Sequence, residues 1–264
     1  MREIRQQPES FEHEVLDTAM DAGNILLENG AELARVEDTM DRICRHYGVD
    51  GSFFILSNGI FTTGSCRMDP GFARVRHIPV NRADLSRVVA VNQLSRDIEK
   101  KDLSLEEVQA EIIRIRQMPG KRHWLQILAA GIGSAGFCYM FGGSARDCVA
   151  SGITGLLLWI IWLYICMPHL SRILGHLTGG AAAACFSLLL YSMGIGDSLS
   201  HIIIGAVIPL VPGVPFTNGI RDIASGDYLA GIVRLLDALL VFMCIAIGVG
   251  FVLTAYYRVS GGAL

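Results

Sequence analysis

Charge is what the second half of this chain lacks. Residues 125–264 hold only 5 of the 22 Lys/Arg and 5 of the 25 Asp/Glu, leaving 17 and 20 for residues 1–124. A soluble domain of that size would carry about a quarter charged residues. The second half is therefore too apolar for a water-exposed surface. That excludes a wholly soluble enzyme, a nucleic-acid binder and a disordered chain. The net charge of −3 gives no global field for nucleic acid or an anionic partner. Cysteine patterning is also lacking: the seven cysteines are odd in number and form no C-x-x-C pair. A secreted disulfide scaffold is excluded, and the thiols read as small buried hydrophobes in a reducing context. The seven histidines show no H-E-x-x-H or H-x-x-x-H spacing, so neither a metal site nor a cofactor is expected. Met1-Arg2-Glu3-Ile4-Arg5 has no apolar core of signal-peptide type, so delivery by a cleaved leader is not expected.

The break in charge near Trp124 predicts two domains, 1–123 and 124–264. In the first, Phe11, Val15, Ala19, Ala22 and Leu26, and then Leu33, Val36, Met40, Ile43 and Tyr47, recur every three or four positions. Both stretches read as amphipathic helices, with Gly30 as the break between them and Gly48 as the end of the second. Arg42, Arg45 and His46 fall in that helix's last turn, where cations suit the dipole. Ser52–Thr63 is rich in β-branched and aromatic residues, and Asn58-Gly59 suits a tight turn between two strands. Alternation over 74–80 predicts a third strand whose arginines face water. Asn81-Arg82-Ala83-Asp84 resembles a helix start, and Ser104-Leu105-Glu106-Glu107 is a capping-box pattern, giving helices near 82–100 and 105–117. The expected domain is a small α+β unit. Glu37, Asp38 and Asp41 share one helical side, read as a solvated face rather than as an acid/base or metal cluster.

The second half offers five apolar segments: Trp124–Phe141, Val149–Met167, Leu177–Met193, His201–Val211 and Tyr228–Tyr257. Most approach the roughly 20 residues that cross a hydrocarbon core. The expected fold class is thus an α-helical multi-pass membrane protein with five transmembrane segments, preceded by the α+β domain on the cytoplasmic side. The fourth segment is short and runs into Pro209-Leu210-Val211-Pro212-Gly213-Val214-Pro215, where a regular helix cannot continue. Either the prolines end a tilted helix at the interface, or free backbone groups at Pro212 and Gly213 line a transport site. Arg114, Arg116, Lys121, Arg122, Arg172 and Arg221 fall on one side if the segments alternate, and Arg146 and Arg258 on the other. That split places the N-terminal domain in the cytoplasm and the C-terminus outside. Small residues at four-residue spacing favour a tight bundle or an oligomer.

Charges in the apolar half cluster between Arg221 and Asp237. Arg234 and Asp237 share a helical face in apolar sequence, where charge is costly and usually faces a cavity or a partner. Arg234 or Arg221 could bind a substrate carboxylate through its planar fork. Asp227 or Asp237 could carry a coupling proton or bind a substrate amine. The bland alternative is a set of structural ion pairs near the interface, with Arg234 snorkelling. Asn218 and Asp222 complete the candidate substrate-binding and transport set with Pro212, Gly213, Arg221, Asp227, Arg234 and Asp237. Asp197 and His201 flank the outer end of the fourth segment and read as an ordinary loop or a gate; His169, Arg172 and His176 read as interfacial anchors.

Two stretches carry a family resemblance. One is Asn29-Gly30-Ala31-Glu32-Leu33-Ala34-Arg35-Val36-Glu37, with Ser57-Asn58-Gly59-Ile60 downstream. The other is Leu210-Val211-Pro212-Gly213-Val214-Pro215-Phe216-Thr217-Asn218-Gly219-Ile220-Arg221-Asp222, followed by Gly226-Asp227 and Gly231…Arg234. The sequence resembles the threonine/serine exporter family in its split, two-chain form. The resemblance implies an inner-membrane exporter of small carboxylate metabolites, threonine/serine or a succinate-type dicarboxylate. It also implies a separate small hydrophobic membrane subunit, because single-chain members look like this sequence followed by a second hydrophobic half. It assigns no catalytic residues. No enzyme is expected: a membrane-embedded hydrolase would need a nucleophile with a base, and no G-x-S-x-G elbow occurs. The competing reading is a non-transporting, membrane-anchored metabolite sensor.

Overall fold

The computed structural model describes residues 9–66, 69–78 and 84–259. In chain order the elements are α1 (Glu9–Glu28), α2 (Leu33–His46), β1 (Gly51–Leu56), β2 (Gly59–Cys66), β3 (Asp69–His77), α3 (Leu85–Lys101) and α4 (Leu105–Arg116). There follow α5 (His123–Met140), α6 (Ala145–Ile161), a π-helical turn (Trp162–Cys166), α7 (Met167–His169) and α8 (Arg172–Ser192). The last are α9 (Leu199–Val207), a 3-10 turn (Ile208–Leu210), α10 (Gly213–Ala224) and α11 (Tyr228–Val259). The chain divides into two compact units: residues 1–120 with 214–235, and residues 121–213 with 236–264. The first unit thus takes in most of α10 and the start of α11.

In the first unit α1 and α2 form because their apolar residues repeat at helical spacing, and Val15, Leu16, Ala19, Met20, Leu26, Val36, Met40 and Ile43 are all buried. Gly30 separates the helices with φ 83°, a left-handed conformation open to glycine at little cost. Gly48, at φ 72°, follows the cap of α2. The strands form one antiparallel sheet in the order β1-β2-β3. Leu56 pairs with Gly59, so the two turn residues are Ser57 and Asn58, one position earlier than Asn58-Gly59 suggests.

The arginines of β3 correct the expectation that they face water. Arg74 and Arg76 lie on the side of the sheet that meets α1 and pair with Asp17 and Asp21. Val75 takes the outward position and is 67% exposed. It lies beside Phe61, which pairs in turn with Phe54, so an apolar row crosses all three strands on the outer face. The strand runs over Asp69–His77 rather than 74–80, of which 79 and 80 lie outside the described residues, and the acidic face of α1 decides which set of its side chains points inward.

The helix start at 81–84 lies partly outside the described residues; Asp84 caps α3 by accepting from Ser86 N–H at 3.0 Å. The capping box opens α4: Ser104 and Glu107 satisfy each other's backbone N–H groups. The core runs through α1–α4 and the sheet, with Ile60, Ile98, Val108 and Ile115 buried, and includes Ala230 of α11.

The second unit is a helical bundle with an apolar exterior. Among the described residues three helices are long and apolar enough to cross a membrane: Ala145–His169, Arg172–Ser192 and Tyr228–Val259; the broken pair Leu199–Leu210 and Gly213–Ala224 brings the number to four if it is one span. α5 is helical as expected, but its polar start (His123, Gln126) and its glycines dilute its apolar character. Interior contacts use small residues. A Cβ on Gly205 would stand 2.6 Å from the Ser134 carbonyl oxygen and 2.4 Å from Ser151 Oγ. A Cβ on Gly248 would stand 2.2 Å from the Leu177 carbonyl oxygen. Backbones therefore approach as closely as they do in small-residue membrane interfaces. Outward-facing Ile132, Ile173, Leu189, Leu240, Met243, Ile247 and Phe251 are exposed. Apolar side chains on that scale mark a surface facing lipid or other protein rather than water.

Candidate functional site

Within the first unit, the loop between α1 and α2 meets α10 and the start of α11. Two glycines make the approach possible. A Cβ on Gly219 would lie 3.1 Å from the Gly231 carbonyl oxygen, and one on Gly231 would lie 2.7 Å from that of Gly219. With the helix backbones this close, Asp222 of α10 reaches Arg234 of α11, and Arg234 Nη1 donates to Asp222 Oδ2 at 2.8 Å. The pair is deeply placed: the side chains are 2% and 11% exposed.

The remaining polar atoms of this pair are satisfied by the loop. Leu33 N–H, in the first turn of α2, donates to Asp222 Oδ1 at 3.3 Å. Arg234 Nη2 donates to the Ala31 carbonyl oxygen at 3.1 Å, and Asn218 Nδ2 donates to that of Gly30 at 2.7 Å. Arg221 pairs with Glu32, which also accepts from Arg35 at 3.1 Å. The residue at the N-cap of α2, Glu32, makes no side-chain capping bond. Asp222 supplies from α10 a carboxylate to the orphan N–H groups and positive dipole end of α2. Asn29 is buried and donates to the Ile25 carbonyl oxygen at 2.7 Å, which closes the end of α1.

Asn218, Arg221, Asp222 and Arg234 therefore assemble on one loop. The other candidates make other contacts. Asp227 is exposed just before α11, where its N–H bonds the Asp222 carbonyl oxygen at 2.9 Å. Its charge, after burial and Asp41, helps hold the Glu37 carboxyl above its ordinary range. Burial raises Asp41 as well, against the opposing pull of Arg45. Pro212 and Gly213 sit at the break between the 3-10 turn and α10, where Gly213 N–H bonds the Val211 carbonyl oxygen at 2.9 Å. Asp237 does not pair with Arg234 despite the shared helical spacing. It belongs to the second unit and accepts from Arg172 Nη1 at 2.6 Å.

Two sets of residues escaped sequence reasoning. The first is the backbone of Gly30, Ala31 and Leu33. The 29–37 stretch drew attention as a motif, but nothing local says that its carbonyl and amide groups bind side chains about 190 positions away. The second is Asp147 in the second unit. It is 2% exposed and accepts from Ser144 N–H at 2.9 Å, Asp197 N–H at 2.7 Å and Ser198 N–H at 2.8 Å. Asp197 also accepts from Ser144 Oγ at 2.7 Å and lies 3.6 Å from Arg146, so the turn before α9 is a clamped loop. A Ser-x-x-Asp capping pattern at 144–147 was the available signal. Among the described residues no cluster of His, Cys, Asp and Glu could hold a metal ion.

Comparison with known proteins places these features in a family. The family model described as "Putative threonine/serine exporter" matches residues 17–256, a span that includes every residue of the site. "Probable succinate transporter subunit YjjP" of Escherichia coli (strain K12) is 27% identical over 240 residues, covering 89% of this chain and 91% of that protein. The protein of the same name from Klebsiella aerogenes is 24% identical over 234 residues, covering 88% and 90%. "Uncharacterized protein C16A10.01" of Schizosaccharomyces pombe is 28% identical over 184 residues, which cover 64% of this chain and 21% of that protein. No solved structure matches the chain. The family and the bacterial relatives carry the names of transporters, and the apolar helices are those of a membrane protein. The chain belongs to the threonine/serine exporter family.

Proposed function

We propose that this chain is one subunit of a two-component inner-membrane exporter of small carboxylate metabolites. Its cargo is threonine, serine or a succinate-type dicarboxylate, moved by ion-coupled secondary transport. The observation that carries this reading is the buried Arg234–Asp222 pair, a guanidinium and a carboxylate that follow a proline-broken segment in the otherwise apolar half of the chain. Ionisable groups in apolar segments are costly and mark substrate or ion pathways. A planar guanidinium is the side chain best matched to a carboxylate. The names of the bacterial relatives support the cargo class, and the word "subunit" in those names supports a separate hydrophobic partner.

In this reading Arg234 is the carboxylate ligand, with Asn218, Arg221 and Asp222 around it. Asp227 or Asp237 meets a substrate amine or a coupling proton, and Pro212 and Gly213 line the transport path at the break in the fourth segment. Five spans, counting α5, carry the chain across the bilayer. The Lys/Arg bias puts the N-terminal domain in the cytoplasm and the C-terminus in the periplasm. Small-residue contacts suit further assembly with the partner or as an oligomer.

Deleting the chain from its own cell tests the proposal. Cells are loaded with threonine through a threonine dipeptide, or with succinate, and efflux is followed. Loss of efflux of either is expected, with recovery on re-expression. Unchanged efflux of both would remove the proposal.

A further inference from the structure

Resting on the exporter reading, we propose that Asp222 occupies a carboxylate site that the substrate's carboxylate takes over during transport. The place where its carboxylate sits is a complete receptor for that group. Two donors converge on its two oxygens, Leu33 N–H on Oδ1 and Arg234 Nη1 on Oδ2. The N-terminal end of α2, which Glu32 does not cap, adds a favourable dipole. Arg234 is fixed independently of Asp222 by its second bond, from Nη2 to the Ala31 carbonyl oxygen. The receptor therefore keeps its shape when the occupant changes.

The occupant is carried by a separate, short element. α10 spans Gly213–Ala224, is preceded by Pro212 and is followed by Gly226 at φ 95°. Movement of this helix, which also releases Asn218 from Gly30 and Arg221 from Glu32, withdraws the Asp222 carboxylate without unwinding α2 or α11. A buried guanidinium stripped of its counter-ion is strongly disfavoured, so Asp222 leaves only as another anion arrives. That condition makes the step an exchange of one carboxylate for another on Arg234. It also fits the range of cargo: threonine, serine and succinate share a carboxylate and little else. Recognition through Leu33 N–H and Arg234 reads that shared group and leaves the rest of the molecule to other contacts.

The test uses inverted membrane vesicles from cells producing the full chain with its partner subunit, and measures uptake of radiolabelled succinate and threonine. Asp222→Asn removes the competing charge while keeping the side-chain size. The exchange predicts that its KM falls at least fivefold and its kcat falls as well, because the internal carboxylate no longer drives the substrate off. An unchanged or raised KM at wild-type membrane level would overturn the inference while leaving the exporter reading intact. The double exchange Asp222→Arg with Arg234→Asp keeps an ion pair but destroys the receptor. It is expected to accumulate in the membrane and transport neither compound; restored transport would make the pair a structural latch and overturn the exchange. Wild-type vesicles that accumulate neither compound would instead remove the exporter reading itself.

Discussion

Asp147 and Asp222 are both 2% exposed, yet their surroundings differ in kind. Asp147 has no basic partner among the described residues and is held by three backbone N–H groups, whereas Asp222 has one N–H and a guanidinium. Charge-assisted bonds to backbone donors are among the stronger polar contacts, and removing the acceptor leaves buried donors unpaired. Asp147→Ala is expected to lower stability by about 2–4 kcal/mol, read as a shift of the melting transition in detergent. Glu37 behaves in the opposite sense. Burial, Asp41 and Asp227 raise its pKa above the ordinary 4.5, so the folded state disfavours its charge. The cost is absent below the ordinary value and grows as pH rises through the raised one. Glu37→Gln should therefore raise the melting temperature at pH 7 and change nothing at pH 4; a melting temperature lowered at pH 7 would refute this. Burial, then Asp41, pushes the Cys44 thiol up to about 12. At pH 8 only about one in ten thousand of these thiols is ionised, so Cys44 should resist iodoacetamide until the protein unfolds.

At the level of elements, the crossing of α10 and α11 is set by Gly219 and Gly231. Any Cβ at Gly231 meets backbone on α10, including Ile223 N at 2.9 Å, and that contact has no flexible end to yield. Gly231→Val should separate the two helices and pull Asp222 away from Arg234. The expected outcome is loss of transport with the chain still present in the membrane, measured by succinate and threonine efflux against an immunoblot. Retained efflux would show that the close approach is not needed. The Arg172–Asp237 pair ties α8 to α11 within the second unit, and its side chains are partly exposed. Such a pair contributes little where water reaches it. The α1–α2 loop is the element on which the site depends most, because it offers two carbonyl oxygens and one N–H to side chains of α10 and α11.

For the whole molecule, the charge arithmetic and the helix assignments agree on a polar region followed by apolar helices. The proposed sidedness predicts that alkaline phosphatase fused after Val259 is active and that a fluorescent protein at the same point is dark. The reverse pattern would place the polar domain outside. The sequence by itself determined the elements: Gly30 and Gly48 end helices, Ser104-x-x-Glu107 opens one, and Pro209 and Pro212 break another. These are local effects, carried by residues a few positions apart. The family, too, was legible from two stretches of motif. Tertiary structure alone decided that those two stretches touch, that Arg234 answers to Asp222 rather than to Asp237, and that the β3 arginines turn toward α1. The reason is physical. Helical spacing says which residues share a face but not what faces them, and a hydrogen bond spanning 189 residues leaves no periodic trace in the chain that makes it.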